Sequence, residues 1–529
     1  MSKLVSLHIE NFRGIKKMDC QFGSSNVICL IGHCDAGKTT ILTAISYLFS
    51  SSWTIPVSDE DFHKMNIEEP IRIEGIIANV PAELITFDKF GLHTFEYGNL
   101  ESPSQCLKLV LTIEKDLEPR WEVCNVNNDE YHAISHKDRS LFNIRLIDDY
   151  FDAQFNMSKY SLLKNLVSSL TDKPQLSSNI GVDLIREIRD KLNIGEATAA
   201  QVSDKLNESI RKIGGEGRKY SLAVPMGELM LRGNQVGLQA DDVPVKLLGK
   251  GTRRQLSLAL QLALNNDDTS SILIDEVEQG LEPYRVKTIV RALKDTKQQV
   301  FMTSHSSMAL AELDATDLYL VKSGSDKLVH LDENYQALLR SNPDAFFFDK
   351  LIVCEGETEY GFFLELDRYL WLNEGYTTSS YSASPLLGKG KGMIPIIESL
   401  NNLGVNNLCF MDNDDDDATE ALNGKTIICN CEKGYSIEQQ IFKDAPTPAI
   451  QEYVEWAKAH TKLSDDFEFN ESQRDFLGKQ SKSGKWFKSV GGGRLLGEIF
   501  FKYYKQMNIQ SHLYHQIESI LFWLQNGIL

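Results

Sequence analysis

Residues 26–49 read NVICLIGHCDAGKTTILTAISYLF. The first six are apolar enough for a short buried strand. Residues 39–49 repeat apolar side chains at helical spacing. Between them, Gly32-His-Cys-Asp-Ala-Gly37-Lys38-Thr39 fits G-x-x-x-x-G-K-[ST]. Strand, glycine loop and helix in that order predict a phosphate cradle. The glycines let backbone N–H groups face phosphate oxygens. Lys38 neutralises the β and γ phosphates, and the Thr39 hydroxyl can hold Mg²⁺. The start of the helix adds its positive end. The residues expected around ATP here are Gly32, Asp35, Gly37, Lys38, Thr39 and Thr40.

The chain has 529 residues, enough for two to four domains. A hydrophobic fraction of 42% supplies sizeable cores. The net charge of −19 counts mildly against a polyanionic partner. It is no veto, because a metal site adds carboxylates and basic patches can be local. Nine cysteines are scattered, several in apolar runs, which fits buried free thiols in a reducing compartment. Cys429 and Cys431 form a C-x-C without a second pair at zinc-ligand spacing, so zinc is set aside. No signal peptide opens the sequence and no apolar run nears the ~18 residues of a membrane span. The expectation is a cytoplasmic protein with no membrane partner.

Further strands are expected at 3–10, 71–78 and 107–113. From about 160 to 213 the pattern turns helical and polar, as in VDLIREIRDKLNI and AAQVSDKLNESIRKI. Strong α/β punctuation resumes at Leu247. A helix (RRQLSLALQLAL) leads to the strand SSILIDE, and another (RVKTIVRALKD) leads to QVFMTSH. Asp275 leaves its strand where it can hold the Mg²⁺ shell, and Glu276 is placed to polarise a water against the γ-phosphate.

The order of these pieces resembles the ABC-type ATPases of the SMC and RecF kind. Gly249-Lys-Gly-Thr-Arg-Arg-Gln255 opens a helix before the Asp-Glu strand, Gln279-Gly-Leu-Glu-Pro283 follows it, and His305 ends the next strand. The resemblance implies that the glycine-rich signature, including Gly251, meets ATP held by a partner subunit. It implies that His305 is the switch histidine near the γ-phosphate. The opening IENFRGI is also typical of the group, with Arg13 near the nucleotide. One departure stands out: no Q-loop glutamine is evident, and Asp61-Phe62 occupies that region.

A second constellation begins in Leu351–Phe363, LIVCEGETEYGFF. An apolar strand exits into Glu355, Glu357 and Glu359. Crowded carboxylates resist ionising together, and a divalent cation is the usual reason for keeping them. Glu355 sits at a strand's C-terminal end, and Glu359 in the first helical turn can point back to it. Glu357 is expected to face solvent. In LCFMDNDDDD a second strand delivers Asp412 and Asp414, while Asp415, Asp416 and Asp417 read as solvated spares. Gly434-Tyr-Ser-Ile-Glu438 adds Ser436 and Glu438. Enough oxygens gather for one or two hard cations, and two such ions can clamp both oxygens of a breaking phosphodiester. A cation such as Lys485 in KSGKWFKS can stabilise developing charge on the phosphate, although this lysine taken alone reads as a surface residue.

Strand–EGxxE, glycine loop (Gly388–Gly392), strand–DxD and SxE in this order look like a Toprim domain. An SMC-like ATPase followed by Toprim resembles the OLD-family nucleases (overcoming lysogenisation defect), with Gabija and retron-associated OLD effectors as relatives. The fold class implied is α/β: an ABC-type ATPase head with a helical insertion, then a Rossmann-like Toprim domain. The segments assigned are 1–155 and 216–335 for the ATPase, 156–215 for a helical dimerisation insertion, 346–450 for the Toprim core, and 451–529 for a mostly helical extension. By the same resemblance, Glu355, Glu359, Asp412, Asp414, Ser436 and Glu438 form the metal shell. Lys485 is the late catalytic lysine, with Lys482 as its rival.

The leading expectation is a Mg²⁺- or Mn²⁺-dependent DNA endonuclease or nickase acting in antiphage defence. It would hold two ions at the Toprim site and ATP with Mg²⁺ at the head, where Thr39 and Asp275 hold the metal and Glu276 is catalytic. The partners implied are DNA and a second copy of the chain or a higher homo-oligomer. An accessory defence protein or a non-coding RNA is left open. The alternative is an ATPase scaffold whose Toprim domain binds a partner or RNA without cutting. A topoisomerase lacks chain for a DNA-gate domain, and a primase of this type lacks its zinc module.

Overall fold

The computed structural model describes residues 2–97, 105–142, 144–147, 155, 161–169, 196–214, 219–223, 237–264, 271–322, 324–413, 416–461, 463–484 and 488–527. The chain divides into two compact units, Met1–Gln336 and Ala337–Leu529.

The first unit holds two large sheets. One is antiparallel: β1 (Lys3–Phe12), β2 (Ile15–Gln21), β4 (Ile71–Ala78), β6 (Gln105–Ile113), β7 (Pro119–Asn125) and β8 (Glu130–Ala133) run in the order β2-β1-β4-β6-β7-β8, with β5 (Phe95–Glu96) paired to β6. The other contains β3 (Val27–Ile31), β9 (Ile144–Ile147), β13 (Ser271–Ile274), β14 (Gln299–Thr303), β15 (Leu318–Leu320) and β16 (Val329–His330), in the order β16-β15-β3-β14-β13-β9. All its pairings except β15–β16 are parallel. Both β3 and β14 are buried at every position, as expected of strands covered on two faces.

The P-loop helix, Lys38–Leu48, buries Ile41, Leu42, Ala44, Ile45 and Leu48. These pack in one core with Leu7, Ile9 and Ile73 of the antiparallel sheet and with Ile28, Leu30 and Phe301 of the parallel one. Apolar helical spacing thus pins the phosphate loop to both sheets.

Of the helical insertion, Leu162–Ser169 and Glu196–Lys212 are described, and both pack against the signature helix Lys250–Ala263. The segment VDLIREIRDKLNI lies outside the described residues. A small antiparallel sheet of β10 (Tyr220–Ala223), β11 (Gly237–Ala240) and β12 (Val243–Pro244) precedes that helix.

The second unit is built on a parallel four-stranded sheet. Its strands β17 (Lys350–Cys354), β18 (Ala383–Leu387), β19 (Asn406–Met411) and β20 (Ile427–Asn430) run in the order β18-β17-β19-β20. The order puts β17 and β19 side by side at the centre, so the acids at their C-terminal ends become neighbours. Helices cover the sheet, and the core joins Phe362, Phe363, Phe410, Phe442, Phe500 and Trp523. All nine cysteines are free, and only Cys34 is exposed; Cys429 and Cys431 are buried.

Candidate functional sites

In the first unit, parallel pairing brings three strand ends to one edge of the sheet. β3 ends in the phosphate loop, β13 in Asp275 and Glu276, and β14 in Thr303-Ser304-His305. Gly32 and Gly37 adopt φ of 133° and 101°, and Asp35 is left-handed at 59°. Gly32 also lies so close to the carbonyl of Val321 that a Cβ would strike it. Lys38 is buried, with Nζ donating to the carbonyls of Gly32 (3.0 Å) and His33 (2.5 Å). Burial pulls its pKa down.

The Thr39 hydroxyl donates to Asp275 Oδ1 at 3.1 Å, across 236 residues of sequence. Thr40 is half-buried in the same helical turn. Arg13, itself left-handed at 49°, donates Nε to Asp61 Oδ1 at 2.7 Å and reaches Thr43 Oγ1 of the P-loop helix at 3.4 Å. Asp61, at the expected Q-loop position, therefore holds Arg13 against that helix. His305 sits at the same edge. Burial, then the Lys38 ammonium, hold its imidazole below the usual range. Gly251 opens the signature helix against Gly280.

Three residues at this edge carry no sequence signal of their own. Thr303 accepts from the Glu276 N–H and donates to Asp275 Oδ1, each at 2.7 Å. Glu278 accepts from the Ser304 hydroxyl at 2.8 Å and the His305 N–H at 2.5 Å. Arg254 grips the turn after β13. Thr303→Val keeps the shape and removes both bonds. The Glu276 N–H left without its acceptor should cost about 1–3 kcal/mol, while Asp275 keeps the Thr39 hydroxyl, and ATP turnover should fall roughly tenfold with folding retained. Steady-state phosphate release checks this, and wild-type turnover would refute the bridging role.

In the second unit the acids converge. Glu355 Oε2 accepts from the Asp412 N–H at 3.0 Å. Asp412 Oδ1 accepts from Ile437 N at 2.7 Å, at the start of the helix Ile437–Asp444. Glu359, in the first turn of the helix Glu357–Glu374, is buried and accepts from Gly356 N at 2.9 Å. Glu438 is buried and accepts from the Thr358 hydroxyl at 3.2 Å. Burial first, then Asp412, Glu438 and Glu355, push the Glu359 carboxyl well above its ordinary range. The buried Ser436 Oγ has no hydrogen-bond partner among the described residues.

The glycine loop closes over this edge, with Gly388 N donating to Cys354 O and Gly390 N to Glu355 O, both at 2.7 Å. Glu357 is exposed, as is Asp417. Asp414, Asp415 and Lys485 lie outside the described residues, as does the side chain of Asp416; Lys482 lies in the last turn of the helix Arg474–Ser483.

The donor set suits a hard divalent cation: carboxylates and a hydroxyl, crowded enough that one acid resists ionising. It is not a ready cage. Among the described residues no group of three or more His, Cys, Asp or Glu is arranged to hold a metal. Glu355, Glu359 and Asp412 are each turned onto a backbone N–H and Glu438 onto a hydroxyl, so a cation has to draw them off these partners.

The family model described as "AAA domain, putative AbiEii toxin, Type IV TA system" matches residues 27–312, more than half of the chain. The chain is similar to the DNA replication and repair protein RecF of Porphyromonas gingivalis, at 22% identity over 362 residues, covering 59% of this chain and 94% of the relative. RecF of Shewanella pealeana is 23% identical over 360 residues, covering 58% and 94%. Among solved structures, the Smc head domain bound to the C-terminal domain of ScpA from Pyrococcus furiosus gives a TM-score of 0.43 at 15% identity, covering 64% of this chain and 99% of that one. The structure of RecF with ATP gives 0.38 at 16%, covering 62% and 99%.

Proposed function

The chain belongs to the family of AAA domains whose model it matches, and from that premise we propose that it is an ATP-binding and ATP-hydrolysing, divalent-metal-dependent DNA endonuclease or nickase. Its setting on this reading is antiphage defence in the cytoplasm, and its second unit is a Toprim domain of the OLD type. The observation that carries the nuclease half is the gathering of Glu355, Glu359, Asp412 and Glu438 at one edge of a parallel sheet. Burial, and after it the neighbouring acids Asp412, Glu438 and Glu355, raise the Glu359 pKa, in keeping with a crowded acidic site. DNA as the polymer is supported by the name of the RecF relatives.

On this reading Glu355, Glu359, Asp412 and Glu438, with Ser436 and Asp414, hold Mg²⁺ or Mn²⁺. The ions, when bound, supply a water nucleophile and charge neutralisation at the phosphodiester. Glu355 and Asp412 fix the mouth of the site through their shared N–H contact. Ser436 offers an uncommitted hydroxyl, and Lys485 is the cation assigned to the scissile phosphate. In the head, Lys38 and the loop amides hold the phosphates, Thr39 and Asp275 hold Mg²⁺, and Glu276 orients water. The insertion at 156–215 is assigned to homodimer formation.

Supercoiled plasmid incubated with metal and ATP varied independently tests this. Nicked or linear product with Mg²⁺ or Mn²⁺, and none with a chelator, is expected. Supercoiled, linear and single-stranded DNA all left intact under every combination would overturn it. One observation favours a second reading, an ATPase scaffold that binds a partner or RNA without cutting. Glu359 and Asp412 serve as caps at helix starts, a structural use that needs no metal. Inert DNA with normal ATP turnover would select it.

A further inference from the structure

We infer that Arg254 is the positioning residue for Glu276, fixing the turn that carries this acid to the first turns of the signature helix. Arg254 is 2% exposed. Its Nη2 donates to the carbonyls of Asp275 and, at 2.7 Å, Glu276. Its Nη1 donates to Gln279 Oε1 at 2.5 Å. All three acceptors lie on the turn after β13. A planar guanidinium suits this task because its donors diverge at fixed angles, so three acceptors are held in one geometry.

The turn needs holding. Glu276 is left-handed, with φ of 47°, a conformation that costs a residue with a side chain of order 1–3 kcal/mol unless its surroundings impose it. Thr303 fixes its N–H and Arg254 fixes its carbonyl. The Gln279 N–H closes the turn onto the same carbonyl at 2.9 Å.

The signature helix has no freedom to move apart from this turn. A Cβ on Gly251 would strike the carbonyl of Gly280, so the two backbones are in direct contact. One turn on, Gln255 Oε1 accepts from Arg285 Nη1 at 2.7 Å, tying the helix to Pro283–Lys294. The start of the signature helix, the Arg254 guanidinium and Glu276 therefore move as one body. A shift of the helix start, whatever ligand or partner causes it, is delivered to Glu276.

This rests on Glu276 being the water-orienting acid of the ATP site, so the test carries that residue as its own arm. ATP turnover and ATP affinity are measured for the wild type, Arg254→Lys, Arg254→Met, Glu276→Gln and the double variant Arg254→Lys/Glu276→Gln. Arg254→Lys keeps the charge but cannot span three acceptors. Its kcat should fall about 10- to 100-fold, the scale of a misplaced reacting group, with Kd for ATP within about threefold. Arg254→Met should fall at least as far. Should it fail to fold, Gln279→Ala on the exposed turn takes its place, with a kcat loss of about three- to tenfold expected.

In the double variant the lysine substitution should lower turnover no further than Glu276→Gln alone, because both act through one group. Wild-type kcat in Arg254→Lys, or full additivity in the double variant, overturns the positioning role and leaves Glu276 in place. Unchanged turnover in Glu276→Gln removes the acid's role and the inference with it.

Discussion

Glu355→Gln is expected to lower DNA cleavage more than about 100-fold, beyond the loss typical of a residue that only supports a metal ligand, while ATP turnover stays within about twofold. The amide keeps an oxygen that can accept the Asp412 N–H, now at 3.0 Å from the carboxylate, so the strand ends stay together. What is lost is one of the four gathered carboxyl groups. That loss weakens divalent-ion binding directly, and excess Mn²⁺ should restore part of the activity. It also removes the Glu355 share of the repulsion that, after burial and with Asp412 and Glu438, raises the Glu359 pKa. The melting temperature should therefore be unchanged or higher, opposite in sign to an ordinary damaging substitution. Such a split between stability and activity is the mark of a site held under electrostatic strain for its chemistry. Cleavage within about twofold of wild type would leave the acids as structural caps and select the scaffold reading.

The phosphate loop was legible because all its parts are contiguous: five buried residues, a glycine loop and a periodic helix. Glu355 and Glu359 were legible for a similar reason, lying within one strand exit and one helical turn. Residues joined only by tertiary structure were not. Thr303 closes β14 as an ordinary strand-end threonine, and nothing in its spacing relates it to Asp275. Arg254 lies inside the quoted signature Gly249 to Gln255, but nothing in that stretch relates it to the turn after β13, where it is buried against backbone carbonyls. The strand β18, ASPLL, went unread because Ser384 and Pro385 break the β pattern; β18 is an edge strand, where a missing N–H is tolerated. The sequence also presented the acids only as ligands, whereas Glu359 and Asp412 hold the starts of two helices as well. A carboxylate's second use depends on which N–H groups the fold brings beside it.

Helix Val490–Lys502 shows the same limit and carries the other large prediction. Its sequence, VGGGRLLGEIFFK, opens with residues that each cost about 1 kcal/mol in a helix relative to alanine. The helix forms because those glycines let it lie backbone to backbone on Glu357–Glu374. A Cβ on Gly493 would strike the carbonyl of Thr358, and one on Gly361 the carbonyl of Val490; a Cβ on Gly497 would come within 3.0 Å of the Phe362 carbonyl oxygen. Arg494 locks the pair through the buried Glu365 at 2.6 Å. Thr358 precedes Glu359 and donates to Glu438, so the contact at Gly493 sets the height of the acid-bearing turn.

Gly493→Val places three carbons where only backbone atoms stand, and backbone cannot swing aside as a side chain can. The overpacking should cost about 3 kcal/mol or more, lowering the melting temperature of this unit by roughly 6–12 °C. Gly493→Ala is the milder probe. It should fold with a smaller loss, yet push the Thr358–Glu359 turn off the sheet edge and cut DNA cleavage about tenfold or more, as displacements well under 1 Å suffice for that. Scanning calorimetry and plasmid cleavage on both variants decide it. If Gly493→Ala melts and cuts like the wild type, the two helices are not in backbone contact, and the glycine run has no part in holding the acids in place.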